Sequence, residues 1–272
     1  MVVAVIASQV WAEDSFSLAQ HPRSYELPAV TVEGQKVPDL REEDLVGSYN
    51  QPRWSATRRF PGTRIYVIPE NQVEVEFWAR PTFNRDGSTE TRLLYEVEIG
   101  LPHRFQLDLY YRADIADNDY HNGAQLEMRW ALADWGKIPG NPTLYLEYAP
   151  LEDAPDKVEA RLLLGDQLAP RWHWGLNLNA EFELSGEEEH EYQVSGGLSY
   201  AVIDEKFSAG AEFKALFTDE LGSRGTFTDV YLVGPSFQWR PLPQLTVNLA
   251  PLLGIGPDSP TAEVTLNVGY EF

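Results

Sequence analysis

The sequence predicts an all-β protein, a transmembrane antiparallel up-and-down β-barrel of about twelve strands. Three observations lead there. From Asn71 to Phe272, stretches of about ten residues alternate apolar and polar side chains. The connections between those stretches alternate in kind. Aromatic residues gather on the apolar parity, many near the ends of the stretches.

Successive strand side chains point to opposite faces. In the closing "AEVTLNVGYEF", Ala262, Val264, Leu266, Val268, Tyr270 and Phe272 share one face, and Glu263, Thr265, Asn267, Gly269 and Glu271 the other. The same alternation runs through "VEVEFWARPTF", "TRLLYEVEIGL", "FQLDLYYRAD", "AQLEMRWALA", "PTLYLEYAPL" and "KVEARLLLG". It continues in "RWHWGLNLNAEFEL", "HEYQVSGGLSYAV", "FSAGAEFKALF", "FTDVYLVGPSFQW" and "LTVNLAPLLGI". An even strand count lets the first and last strands pair antiparallel.

One set of connections is short: "LPHRF", "LAPRW", "IDEKF" and "PLPQL". The other is mostly longer and acidic: "DIADNDYHNG", "PLEDAPDK", "SGEEEHE", "TDELGSRGTFTD" and "GPDSP". Short periplasmic turns and longer outer loops are the habit of membrane barrels. "DWGKIPGN" is too long for its short-turn rim.

A barrel of about eight strands is just filled by its own side chains, so twelve turned apolar-inward would enclose a costly void. Turned apolar-outward, the sheet meets lipid and keeps its charges in the lumen. Tyr111, Trp130, Trp172, Trp174, Tyr192, Tyr200, Trp239, Tyr270 and Phe272 then form interfacial girdles. The alternative is a soluble β-sandwich that packs these rings inward.

Composition excludes several classes. A net charge of −21 opposes nucleic acid, and the absence of cysteine removes disulfide and thiolate chemistry. Mean hydropathy is −0.35 and no apolar run reaches the length of about eighteen residues that a membrane helix needs, a test barrels also fail. There is no G-x-S-x-G, Walker loop or H-E-x-x-H, and the five histidines lack metal spacing. No enzyme activity, cofactor or metal is expected. "DNDYHNG" departs from a calcium loop at His121, Asn122 and Met128.

Residues 1–12, "MVVAVIASQVWA", read as a signal peptide's apolar region and small-residue cleavage site, with a frayed strand as the alternative. No Lys or Arg precedes them, so a basic n-region would lie upstream of Met1. Residues 13–70, broken by Pro22, Pro28, Pro38, Pro52, Pro61 and Pro69, form an irregular periplasmic or lumen-plugging segment. "TRIYVIP" within it reads as a short strand. Residues 71–272 form the barrel.

The lumen parity places Glu74, Glu76, Arg80, Arg92, Glu96, Glu98, Asp108 and Arg112 inside, followed by Glu127, Arg129, Glu147, Glu159, Arg161, Glu181 and Glu212. Carboxylates outnumber bases, which points to a cation-favouring conduit for small polar solutes. A salt-bridged network that fills the lumen is the equal alternative.

Three resemblances extend this reading. The terminal pattern Val264, Leu266, Val268, Tyr270, Phe272 resembles the C-terminal signal of Gram-negative outer-membrane barrels, which implies recognition by the barrel-assembly machinery and residence among lipid and lipopolysaccharide. "EVEIGLPHRFQLDLYY" resembles a hairpin of the small MetA-like outer-membrane transporter group of phenol degradation, and implies a channel without a defined substrate. "LPAVTVEG", with Val30, Thr31 and Val32, resembles the TonB box of energy-coupled transporters, which implies a periplasmic partner that adds a strand. The chain departs from that last family in having no plug domain and far fewer strands. A structural barrel that anchors a partner, with no open pore, is the other function these features allow. Barrel phospholipases are a poorer match, because His173 lies on the polar parity and Gly175 takes the same-face position two residues on.

Overall fold

The structure is a computed structural model describing residues 41–116, 119–152, 154–186 and 188–272. The signal-peptide and TonB-box readings, including Val30, Thr31 and Val32, lie outside the described residues.

Two short strands, β1 (Leu45–Val46) and β2 (Gln51–Pro52), precede a single helical turn, α1 (Arg53–Ala56). Twelve long strands follow. These are β3 (Val73–Phe83), β4 (Thr89–Leu101), β5 (Phe105–Ala116), β6 (Asp119–Ala131), β7 (Thr143–Ala149) and β8 (Lys157–Ala169). The others are β9 (Trp172–Glu183), β10 (His190–Ile203), β11 (Phe207–Asp219), β12 (Thr228–Leu242), β13 (Leu245–Ile255) and β14 (Ala262–Glu271). Each pairs antiparallel with its chain neighbours, and β14 closes on β3 through Tyr270↔Val75 and Glu271↔Glu74. β7 is the shortest because Pro142 and Pro150 bracket it, and proline cannot donate to a ladder.

The burial pattern is inverted relative to a soluble domain. Glu74, Glu76, Glu96, Glu98, Asp108 and Glu127 are buried, while Leu109, Leu126, Leu146, Leu178, Leu253 and Trp239 are exposed. Such an apolar outer band belongs in lipid, which the strands cross; no described helix is long and apolar enough to do so. Aromatic pairs mark both margins of the band. Phe105 stacks on Trp130, Trp172 meets Tyr200 and Tyr270 meets Phe272 near the turn rim. Phe182–Tyr192 and Phe217–Tyr231 lie near the loop rim. Leu146, 64% exposed at the middle of β7, tests the lipid face. A Leu146→Arg substitution should cost about 2–4 kcal/mol of stability in liposomes, read from urea unfolding, against roughly nothing for Leu146→Phe.

Two sequence expectations need correction. "TRIYVIP" (residues 63–69) is not a strand and bends at Tyr66: a closed barrel has no free strand edge to accept it. Side chains satisfy its backbone instead. The Ile68 N–H donates to Gln106 Oε1 (2.8 Å), and Gln51 Nε2 donates to the Val67 carbonyl (2.9 Å). "DIADNDYHNG" is not a long loop, because β5 runs to Ala116 and β6 begins at Asp119, with Ala116 opposite Asp119. Most of the acidic loop is strand: β5 stays paired with β4 up to Ala116, and the start of β6 extends beyond its last rung with β7.

Candidate channel lumen

Residues 41–70 lie inside the barrel at the turn rim, with a core of their own. Tyr49, Trp54, Phe60, Ile65, Tyr66 and Val67 cluster with Ala131 of the wall and with Trp135. Trp135 belongs to the over-long turn "DWGKIPGN", and this explains its length. The ring stands edge-on to both Trp54 (5.3 Å) and Tyr66 (5.1 Å), the Trp135 backbone N–H donates to the Tyr49 carbonyl, and the Tyr66 hydroxyl donates to the Ala133 carbonyl. The turn is a clasp on the inserted segment.

The wall is shaped to receive it. Gly165, Gly175 and Gly197 face one another across β8, β9 and β10. A Cβ on Gly175 would stand 2.6 Å from Ile65 Cγ2, and one on Gly197 2.7 Å from Phe60 Cδ1. On Gly165 it would stand 2.7 Å from Ile65 Cγ2. Side chains at these three positions would exclude the segment.

At the rim, Trp54 lies against His173 (4.1 Å between ring centroids), and Glu42 approaches the same imidazole at 3.5 Å. Glu42 accepts from Arg59 Nη2 at 3.1 Å, while its own N–H donates to Asp204. Burial pushes the Glu42 carboxyl above its ordinary range against the opposing pull of Arg59. Burial does the same to Glu205 in the β10–β11 turn, against Arg240.

Strand register sets the lumen's charge. Glu271, Glu74, Glu98, Asp108, Glu127, Glu147, Glu159, Glu181 and Glu191 stand opposite one another in succession from β14 through β3 to β10. The row climbs from the turn rim, where Glu271 ends its strand, to the loop rim, where Glu191 nearly begins one. Like charges directly opposite are destabilising, so each rung needs a counter-charge or a hydrogen bond. Arg129 answers Asp108 (3.1 Å) and Glu127, Tyr145 and Gln125 donate to Glu147, Arg161 holds Glu159, and Lys157 holds Glu181 (2.8 Å). A parallel rung pairs Glu76 with Glu96.

For the lowest rungs the inserted segment supplies the charge. Arg58 donates through Nε to Glu76 (3.1 Å) and through Nη2 to Glu98 (3.0 Å). Arg64 grips both oxygens of Glu98, at 2.8 and 2.7 Å, and approaches Glu74 at 3.8 Å. The Gly62 N–H donates to Glu212 (2.9 Å), and Gln238 donates to the Arg58 carbonyl (2.6 Å). The sequence-derived lumen residues are thus brought onto the inner wall, but the lower ones hold residues 41–70. Above that segment the lumen opens as a cavity of about 490 Å³, lined by Arg80, Arg92, Glu159, Arg161, Glu181 and Glu212 among others. A narrower pocket of about 80 Å³ lies deeper, where Arg112, Glu127, Arg129 and Glu147 contribute. Val264, Leu266, Val268 and Tyr270 lie on the outer parity of β14, and Phe272 follows it as one of the most exposed side chains.

Sequence reasoning missed the glycine row, the clasp and His173. The odd length of "DWGKIPGN" was the available signal for the clasp. The other two depend on register.

Family models and curated proteins give no match. Solved structures do. The COG4313 outer membrane channel from Pseudomonas putida F1 matches with a TM-score of 0.55 at 9% identity, over 76% of this chain and 98% of that one. The NanC porin matches with a TM-score of 0.50 at 12% identity, over 74% and 98%. The KdgM porin reaches 0.47 at 8% identity, over 73% and 98%. At these identities the likeness is one of fold: this chain has the twelve-stranded barrel fold of outer-membrane channels, and its apolar band is made for that membrane.

Proposed function

We propose that the protein is a passive outer-membrane channel for small polar solutes, cations favoured, held shut from the turn rim by residues 41–70. The carboxylate row carries this reading. It lines the wall from rim to rim, and along its lower end Arg58 and Arg64 of the inserted segment supply guanidiniums that the wall itself does not. Removing the segment would leave buried carboxylates facing water, a lining that concentrates cations. Planar-bilayer recording under a KCl gradient tests it. The intact chain should be silent, and the chain lacking residues 41–70 should conduct with a reversal potential on the cation side. An anion-side potential would remove the cation preference, and silence of the folded truncation would remove the channel.

The density of contacts around residues 41–70 favours a second reading. A sealed barrel could anchor a periplasmic partner through the preceding residues, including the Val30–Thr31–Val32 stretch. It predicts silence from both forms and capture of a periplasmic protein that depends on residues 27–34. In either reading the outward face of β14 and Phe272 would serve the assembly machinery.

A further inference from the structure

Above the inserted segment the charge balance reverses locally. Arg80 on β3 stands directly opposite Arg92 on β4, a like-charge pair in register, and Arg92 stands opposite Asp114 on β5. Asp114 must answer two guanidiniums, accepting from Arg92 Nε at 2.8 Å and from Arg112 Nε at 2.7 Å. Arg80 makes no ion pair among the described residues. It lies over the Trp78 ring at 4.6 Å, and its Nε is buried without a hydrogen-bond partner. Arg92 and Arg112 therefore share one carboxylate, and Arg80 beside them meets Glu263 only through longer-range attraction. Arg80 and Arg92 line both the cavity and the pocket beneath it, and Arg92 is 45% exposed. Guanidinium forks so placed are suited to a carboxylate, which they bind by paired charge-assisted hydrogen bonds.

Across the same cavity the upper end of the acidic row offers Glu191, which has no ion pair among the described residues. A cationic group fits there.

We infer that the cavity above residues 41–70 binds a small zwitterionic solute, with its carboxylate on Arg80 and Arg92 and its cationic end toward Glu191. This rests on the channel reading for its meaning but not for its test, because the cavity opens at the loop rim while the segment is in place.

Glycine betaine and choline form the matched probes. Both carry a trimethylammonium group, and only betaine carries a carboxylate. Titration calorimetry on the full-length protein in a maltoside detergent and low-chloride buffer should show betaine binding about tenfold or more tighter than choline. Arg80→Gln should abolish that difference, Arg80→Lys should restore part of it, and Arg92→Gln should also reduce it. Heat-modifiable migration confirms that each variant is a closed barrel. Equal binding of the two probes, no betaine binding by the folded protein, or an undiminished preference in Arg80→Gln would each overturn the site. Conductance of the form lacking residues 41–70 is read separately, so a silent barrel that still prefers betaine defeats the channel and leaves the site standing.

Discussion

Replacing Arg58 and Arg64 together by alanine should turn the full-length chain from a silent barrel into a conducting one. Glu74, Glu76, Glu96 and Glu98 are fixed on β3 and β4 by eleven rungs of backbone pairing, and they cannot move apart when their counter-charges leave. Removing one partner of a buried ion pair costs about 3–5 kcal/mol, because the charge left behind is neither hydrated nor matched. Glu98 receives both guanidiniums, so the two truncations are coupled and their costs will not simply add. The system escapes the penalty by letting water reach the carboxylates, which requires the segment to leave its seat. The barrel ladder itself uses no residue of the segment, so heat-modifiable migration should persist while conductance rises to that of the chain lacking residues 41–70. A lysine pair keeps the charge but loses the fork that spans Glu76 and Glu98, and should open intermittently. A silent, folded double-alanine variant would mean that apolar packing alone seats the segment.

How much of this was written plainly in the sequence depends on how local the signal is. Period-two alternation is local, and it located all twelve strands to within a few residues, as well as the outward apolar face. Register is not local. That nine carboxylates form one row follows only once each hairpin is aligned, since Glu147 and Glu159 are twelve positions apart in sequence yet opposite in space. "TRIYVIP" misled because β-branched and aromatic residues signal burial as much as they signal pairing. Here the burial is real and the pairing is not, since every wall strand already has two partners. His173 looked like a polar lumen residue without a task. Its task is to lie against Trp54, which the sequence places more than a hundred residues away.

The glycine row separates shape from charge. Changing Gly175 and Gly197 to valine removes no carboxylate or guanidinium, although the Gly197 Cβ would also press on Glu212 Cγ at 2.8 Å, and it should also open the channel. The new Cβ atoms would stand 2.6 Å from Ile65 and 2.7 Å from Phe60, well inside van der Waals contact. Overpacking of this kind costs about 1–3 kcal/mol per site when the surroundings must give. The wall cannot give, because the two positions are paired with each other in the middle of a closed sheet. The inserted segment can. In an empty barrel the same substitutions favour the strands, since valine suits a pleated wall and glycine weakens it. The two effects have opposite signs, and that makes the result diagnostic. Conductance in the full-length valine variant, with barrel stability unchanged or raised, would show that two missing side chains hold the lumen closed as effectively as two arginines. If the variant stays silent and its barrel is destabilised instead, the segment is the more rigid partner and the channel reading loses its gate.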